Sequence, residues 1–187
     1  MTKQDFATKF YPLAKIAGDR FGLNPVVILA QAAHESGWGS SYGATNRKNF
    51  FGIIAAGSPN EFWDGAKSKS SVSGLWFRVY KTEQDSFNDF ARLISSKYKE
   101  AAKLSFDPPA YAKAIAYSPY IDEKNGDNRP LYEKAVRDNS EFFSKFLAPQ
   151  ILRDKQEAEK KKTIAIVVVL TMFVLVAGLV YWATKGK

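Results

Sequence analysis

The sequence predicts a mainly helical α+β domain with a small β-hairpin lobe, followed by a single C-terminal transmembrane helix. Three observations carry that expectation. Apolar residues recur at helical spacing over most of residues 5–146, a Gly-, Ser- and Asn-rich stretch interrupts them between Asn46 and Tyr80, and residues 163–184 form an uncharged run. A period near 3.6 argues for helices, and turn residues followed by β-branched and aromatic ones argue for short strands.

The first helix is expected from Asp5 to Phe21, with Phe6, Phe10, Leu13, Ala14 and Ala17 on one face and Gly22 closing it. Asn24 and Pro25 then supply an N-cap and a first-turn proline for a second helix reaching about Glu35. Its run from Val26 to Ala33 is apolar on nearly every side, which places this helix inside the domain. Gly37 and Gly39 stop it. Residues 71–80, Ser-Val-Ser-Gly-Leu-Trp-Phe-Arg-Val-Tyr, read as a short strand after a turn. Helical spacing returns from Thr82 with Phe87, Phe90, Ala91, Ile94 and Tyr98, and two further helices are expected over 109–116 and 130–146. The soluble domain is thus drawn as residues 1–147, with a charged helical stalk at 148–162, the transmembrane helix at 163–184 and a short basic tail at 185–187.

The expected anchor rests on length. At about 1.5 Å per residue such a helix spans a hydrocarbon core of roughly 30 Å. Lys160, Lys161 and Lys162 precede it, and Tyr181 and Trp182 stand where interfacial rings are favoured. The N-terminus lacks the apolar core of a cleavable signal peptide. Flanking charge favours a cytoplasmic domain.

Composition narrows the chemistry. With no cysteine and one histidine, His34, disulfides, thiolate metal sites, a cysteine nucleophile and a multi-histidine metal centre are excluded, and no cofactor is expected. The net charge of +8 divides into 20 basic against 16 acidic side chains over residues 1–150 and 7 against 3 beyond. A nucleic-acid binder would carry a denser basic stripe. The mild excess fits attraction to an anionic polymer or surface.

Glu35 stands out on physical grounds. It ends an otherwise apolar helix, where desolvation and the negative end of the helix dipole both raise a carboxyl pKa. A proton retained near neutral pH is what a general acid needs to protonate a glycosidic oxygen. A surface glutamate at a frayed helix end has the same local sequence, so position alone leaves both readings open.

The motifs around it narrow the choice. Residues 30–40, Ala-Gln-Ala-Ala-His-Glu-Ser-Gly-Trp-Gly-Ser, are followed by Asn-Phe-Phe-Gly-Ile at 49–53, Phe-Arg-Val-Tyr at 77–80, Asp-Ser-Phe-Asn-Asp-Phe-Ala at 85–91 and Tyr-Ala-Lys-Ala-Ile at 111–115, leading to Tyr120. In this order they resemble the bacterial and phage glucosaminidases, glycoside hydrolase family 73, over residues 5–146. The resemblance implies a lysozyme-like fold in which a helical lobe and a β-lobe flank a groove for peptidoglycan glycan strands. It also implies hydrolysis of the β-1,4 bond on the reducing side of N-acetylglucosamine.

By position, Glu35 matches the family's catalytic acid and Tyr120 an active-site tyrosine, although Ile-Asp-Glu follows Tyr120 where a Gly-Tyr-Ala-Thr-Asp type segment is usual. The family draws its second carboxylate from the β-lobe, where this chain offers Glu61 and Asp64. Glu61 is preferred because Asp64-Gly65 has turn chemistry. A solvated Glu61 beside a turn-forming Asp64 competes with that choice. Trp38, Phe51, Trp63 and Tyr117 are candidate sugar-stacking rings and Asn49 a candidate grip on an acetamido group, each with core packing as its alternative.

Two other readings stay open, a lytic transglycosylase or muramidase of the same fold and a wall-binding protein that has lost the reaction. The expected partners are glycan strands, a lipid bilayer through residues 163–184, and other virion or membrane proteins. A signal-less anchor on a wall-lytic enzyme points to the bacterial inner membrane or the internal membrane of a phage virion, for wall penetration or host lysis.

Overall fold

The structure, a computed structural model, describes residues 1–123 and 126–185, with side chains in the last helix described except at 173, 174 and 178–184. Its helices and strands run α1 (Lys3–Phe21), α2 (Pro25–Glu35), α3 (Tyr42–Arg47), β1 (Lys67–Lys69), β2 (Trp76–Arg78), α4 (Glu83–Lys97), α5 (Lys99–Lys103), α6 (Pro108–Ala116), α7 (Arg129–Phe146) and α8 (Ala148–Lys185). The chain divides into two compact units, Met1–Phe146 and Leu147–Lys187.

The first unit is mainly helical and lysozyme-like. α1 begins earlier than its apolar face does, because Thr2 and Asp5 form a reciprocal capping box and Gly22 ends the helix in the left-handed region at φ 69°. α2 opens with Asn24 accepting from the Val26 N–H and Pro25 in its first turn. It is buried from Val26 to Ala33. α1 approaches the 23–25 turn so closely that a Cβ at Gly18 would lie 2.5 Å from the Leu23 carbonyl oxygen, so a side chain there would force the two apart. Around α2 pack α1, α6 and α7, while α4 closes the other side of α1.

The core is strongly aromatic. Phe10 meets Phe6 and Phe50 at 4.7 Å between ring centroids, Phe50 meets Phe87 at 5.5 Å, and Phe51 stacks on Phe90 at 3.8 Å. Such pairs add about 0.5–1.5 kcal/mol each beyond their burial.

The β-lobe is the expected hairpin in shorter form. β1 and β2 pair antiparallel, Lys67 with Arg78 and Lys69 with Trp76, across a turn built on Ser70 and Gly74. Two three-residue strands cannot stand alone in water. The lobe is held by Asp89 of α4, fully buried, which accepts from Arg78 at 2.6 Å, Tyr80 at 2.8 Å, Asn60 at 3.0 Å and Arg92 at 2.8 Å.

The second unit contains α8. Among the described residues no helix is long and apolar enough to cross a membrane. This corrects the expected transmembrane helix at 163–184, and with it the single-pass anchor, its bilayer partner and the membrane localisation. The interfacial roles expected of Tyr181 and Trp182 lie outside the described side chains.

Candidate active site

Glu35 is the last residue of α2, and the chain turns away from it abruptly. The Ser36 hydroxyl donates back to the Ala32 carbonyl at 2.5 Å and accepts the Gly39 N–H at 2.8 Å. Gly37, Trp38 and Gly39 then all take positive φ. Glycine accepts this readily and tryptophan at a cost, so Trp38 needs its contacts with Phe6 and Phe143 to stay there. The turn leaves Glu35 at the surface end of a buried helix.

Two phenols converge on one oxygen of that carboxyl. Tyr132 of α7 donates to Glu35 Oε1 at 2.8 Å, and Tyr120, from the segment after α6, donates to the same oxygen at 3.3 Å. Behind Tyr132 the chain of donors continues into the core. Gln31, one helical turn before Glu35 on α2, donates its amide to the Tyr132 oxygen at 2.7 Å and accepts from the Tyr111 hydroxyl. With its own oxygen occupied by the Gln31 N–H, Tyr132 directs its proton to Glu35.

Burial dominates the electrostatics. Desolvation raises the Glu35 pKa to about 7, opposed by the hydrogen bonds from Tyr132 and Tyr120 and assisted by the negative charge of Asp127. Tyr120 and Tyr132 are themselves driven well above the usual phenol value, by burial first and then by Glu35. They remain protonated donors throughout the physiological range. His34 has its pKa lowered by burial and sets its ring edge-on to Tyr132 at 5.0 Å.

The structure thus brings Glu35 and Tyr120 together and engages the other candidates elsewhere. Glu61 is ion-paired with Arg20 at 2.5 Å. Asp64 accepts the Ala66 N–H at 3.0 Å and pairs with Lys81 at 3.1 Å, and these contacts lower its pKa. Among the described residues, the negative charge of Asp127 also raises the Glu35 pKa. Asn49 is buried, bonding the Ile53 and Arg78 carbonyls and accepting the Ile53 N–H, so it braces the 49–53 turn. Phe51 is sealed against Phe90, and Trp63 lies beneath the Arg78 guanidinium with its indole N–H on the Ala66 carbonyl. Trp38 is half-buried, and Tyr117 is 54% exposed, the most open ring of the candidate set.

Sequence reasoning missed Gln31, Tyr111, Asp127 and Tyr132. One signal was available for Gln31: an amide in the middle of an apolar buried helix must be hydrogen-bonded to something.

Comparison with known proteins shows the family of the chain and its fold. Residues 11–140 match the glucosaminidase family model, described as mannosyl-glycoprotein endo-beta-N-acetylglucosaminidase. The peptidoglycan hydrolase FlgJ of Vibrio parahaemolyticus is 29% identical over 147 residues, covering 70% of this chain and 46% of that protein. The chain spans less than half the length of the curated relatives it matches. Among solved structures, the glycoside hydrolase domain of Salmonella typhimurium FlgJ superposes with a TM-score of 0.60 at 22% identity, covering 86% of this chain and 99% of that one. A type VI secretion effector–immunity complex from Pseudomonas protegens gives 0.60 at 20% identity, with coverage of 79% and 95%. These structural likenesses speak for the fold, and the family match extends over the segment that carries Glu35, Tyr120, Asp127 and Tyr132: the chain belongs to the glucosaminidase family.

Proposed function

We propose that this protein is a peptidoglycan hydrolase that cleaves the β-1,4 bond on the reducing side of N-acetylglucosamine, with Glu35 as its general acid. The observation that carries the reading is a carboxyl held near pKa 7 at a surface opening, with two phenols fixed on one of its oxygens. Because Oε1 accepts both phenol protons, the acidic proton of neutral Glu35 resides on Oε2. From there it passes to the glycosidic oxygen as the C1–O bond breaks. The departing sugar leaves as an alcohol, and positive charge develops at the anomeric carbon. Once the proton has gone, Tyr120 and Tyr132 stabilise the carboxylate that remains.

Completion requires a nucleophile at the anomeric carbon. Water activated by a second carboxylate and the substrate's own 2-acetamido oxygen both satisfy the chemistry. Asp127 is the carboxylate that acts on Glu35, whereas Glu61 and Asp64 are held in ion pairs. We assign Asp127 to water activation or to orienting the acetamido group, and Tyr117 to an exposed stacking surface. Asn49, Phe51 and Trp63 support the walls of the site from within.

The test is digestion of purified peptidoglycan by the wild-type protein and by Glu35→Gln. The wild type is expected to release products with reducing N-acetylglucosamine ends, and Glu35→Gln to lose roughly 10³-fold or more in rate, as befits loss of the acid. Anhydromuramyl ends would establish the transglycosylase alternative, and unchanged digestion by the variant would refute the assignment of Glu35. The phage-lysis reading rested on a signal-less membrane anchor and is set aside with it.

A further inference from the structure

We propose that Arg129 is a positioning residue for this reaction, fastening the segment after α6 to α7 so that Tyr120 and Tyr132 meet the same oxygen of Glu35. The inference rests on the hydrolase reading above for its kinetic consequence, and on geometry alone for its structural one.

Arg129 is the first residue of α7, and its guanidinium reaches back over residues 116–123. One terminal nitrogen donates to the Ala116 carbonyl at 2.8 Å and the Ser118 carbonyl at 3.0 Å, while the other donates to the Ile121 carbonyl at 2.7 Å. Its Nε pairs with Glu123 Oε2 at 3.2 Å. Tyr120 lies between two of the clamped residues, Ser118 and Ile121. Without Arg129 the carbonyls at the end of α6 and beyond would be left among the orphan acceptors of a helix terminus. A cation there also suits the negative end of the helix dipole.

The same helical turn carries the second phenol. Tyr132 is three residues beyond Arg129, on the same side of α7. A single side chain therefore sets the register between the segment bearing Tyr120 and the helix bearing Tyr132. The task requires a planar fork with several fixed donors, which lysine cannot reproduce although it keeps the charge. Arg129 is not among the groups that act on Glu35 directly; those are Tyr132, Tyr120 and Asp127, with His34 beside them on α2. Its influence must pass through the phenols.

Arg129→Lys tests this, because it preserves charge and removes only the fork. Steady-state release of reducing ends from solubilised peptidoglycan strands is measured for the full-length wild type, Arg129→Lys, Tyr120→Phe and the double variant, with circular dichroism to confirm folding. Arg129→Lys is expected to lower kcat about 5- to 20-fold with KM within about twofold, the range set by the misplacement of one catalytic contact. The loss in the double variant is expected to fall well short of the product of the two single losses, since residues acting through a shared contact are not additive.

The second readout is titration of the Glu35 carboxyl by carbon NMR. It should move upward in both single variants, because Tyr120→Phe removes, and Arg129→Lys loosens, a hydrogen bond that favours the charged form. Should Arg129→Lys fail to fold, Glu123→Gln, which loosens the clamp from an exposed position, should show smaller changes in the same directions. Multiplicative rate losses in the double variant, or an unmoved Glu35 titration in a folded variant, would overturn the proposal. If the wild-type protein releases no reducing ends, the hydrolase reading fails. The positioning role is then decided by the titration alone, supported by an upward shift and refuted by none.

Discussion

At Glu35, burial and hydrogen bonding pull in opposite directions, and burial wins. Two phenols favour the carboxylate, yet desolvation and Asp127 carry the pKa from 4.5 to about 7. The sign of the consequence follows directly. The folded state retains a proton that the unfolded state releases, so the neutral carboxyl's full contribution to stability is present below about pH 4.5 and is lost as pH rises through about 7. At pH 8 the charged form costs about 2–3 kcal/mol, after discounting for the residue's partial opening to solvent. Glu35→Gln should therefore be more stable than wild type by about that amount at pH 8 and nearly equal at pH 4, as read by urea denaturation at the two pH values. Equal stabilities at pH 8 would mean that the carboxyl is not desolvated. Wild-type kcat/KM should fall above about pH 7 as the acid of the free enzyme loses its proton. Of these residues, Glu35 was legible because an apolar helix ends on it, and Tyr120 because a motif leads to it. Tyr132 was not, since an aromatic on an amphipathic helix reads equally as core, and Asp127 and Arg129 sit in a polar stretch without hydrophobic period.

Elements with long apolar faces were read correctly, and short ones were lost. α1, α2, α4, α6 and α7 fall where their spacing placed them, with shifts of one or two residues at ends set by caps such as Thr2 and Asp107. α3 and α5 escaped, because six and five residues offer too little period to detect. The hairpin was seen as a strand after a turn, but its attachment was not, since that depends on a charge buried in another element. Asp89 of α4 collects donors from Asn60, Arg78, Tyr80 and Arg92, and it links α4 to a lobe too small to persist alone. Removing one partner of a buried ionic network leaves the others unpaired, which costs about 3–5 kcal/mol. Asp89→Ala should accordingly destabilise the domain by that order in urea denaturation. It should also expose Lys67 and Lys69 to trypsin at denaturant concentrations where the helices still hold. Global unfolding simultaneous with lobe cleavage, at wild-type stability, would show that Asp89 is not the attachment.

On the scale of the whole chain, the family was legible and the expected anchor was not sustained. Collinear motifs over residues 5–146 identified a glucosaminidase, and the family match covers residues 11–140. The transmembrane expectation came from composition over 163–184, whereas the structure continues one helix from Ala148 to Lys185, with charged residues concentrated between Arg153 and Lys162. No helix among the described residues meets the length and apolarity needed to span a bilayer. A prediction about division of labour follows from where the site's parts reside. Among the described residues, the groups that act on Glu35, and the glutamine behind Tyr132, come from residues 31–132, and the aromatic core is drawn from Phe6 to Phe143. The first compact unit ends at Phe146. A fragment of residues 1–147 thus contains the acid, its phenols, the Arg129 clamp and the Asp89 attachment. It is expected to unfold cooperatively, as single domains of this size do, and to release reducing ends from solubilised peptidoglycan strands with kcat/KM within about twofold of the full chain. On intact sacculi the two proteins can be compared in the same assay, which isolates any contribution of residues 148–187 to substrate capture. A fragment that folds but loses more than about tenfold in kcat on the soluble strands, roughly 1.4 kcal/mol of transition-state stabilisation, would place part of the catalytic apparatus beyond the first unit.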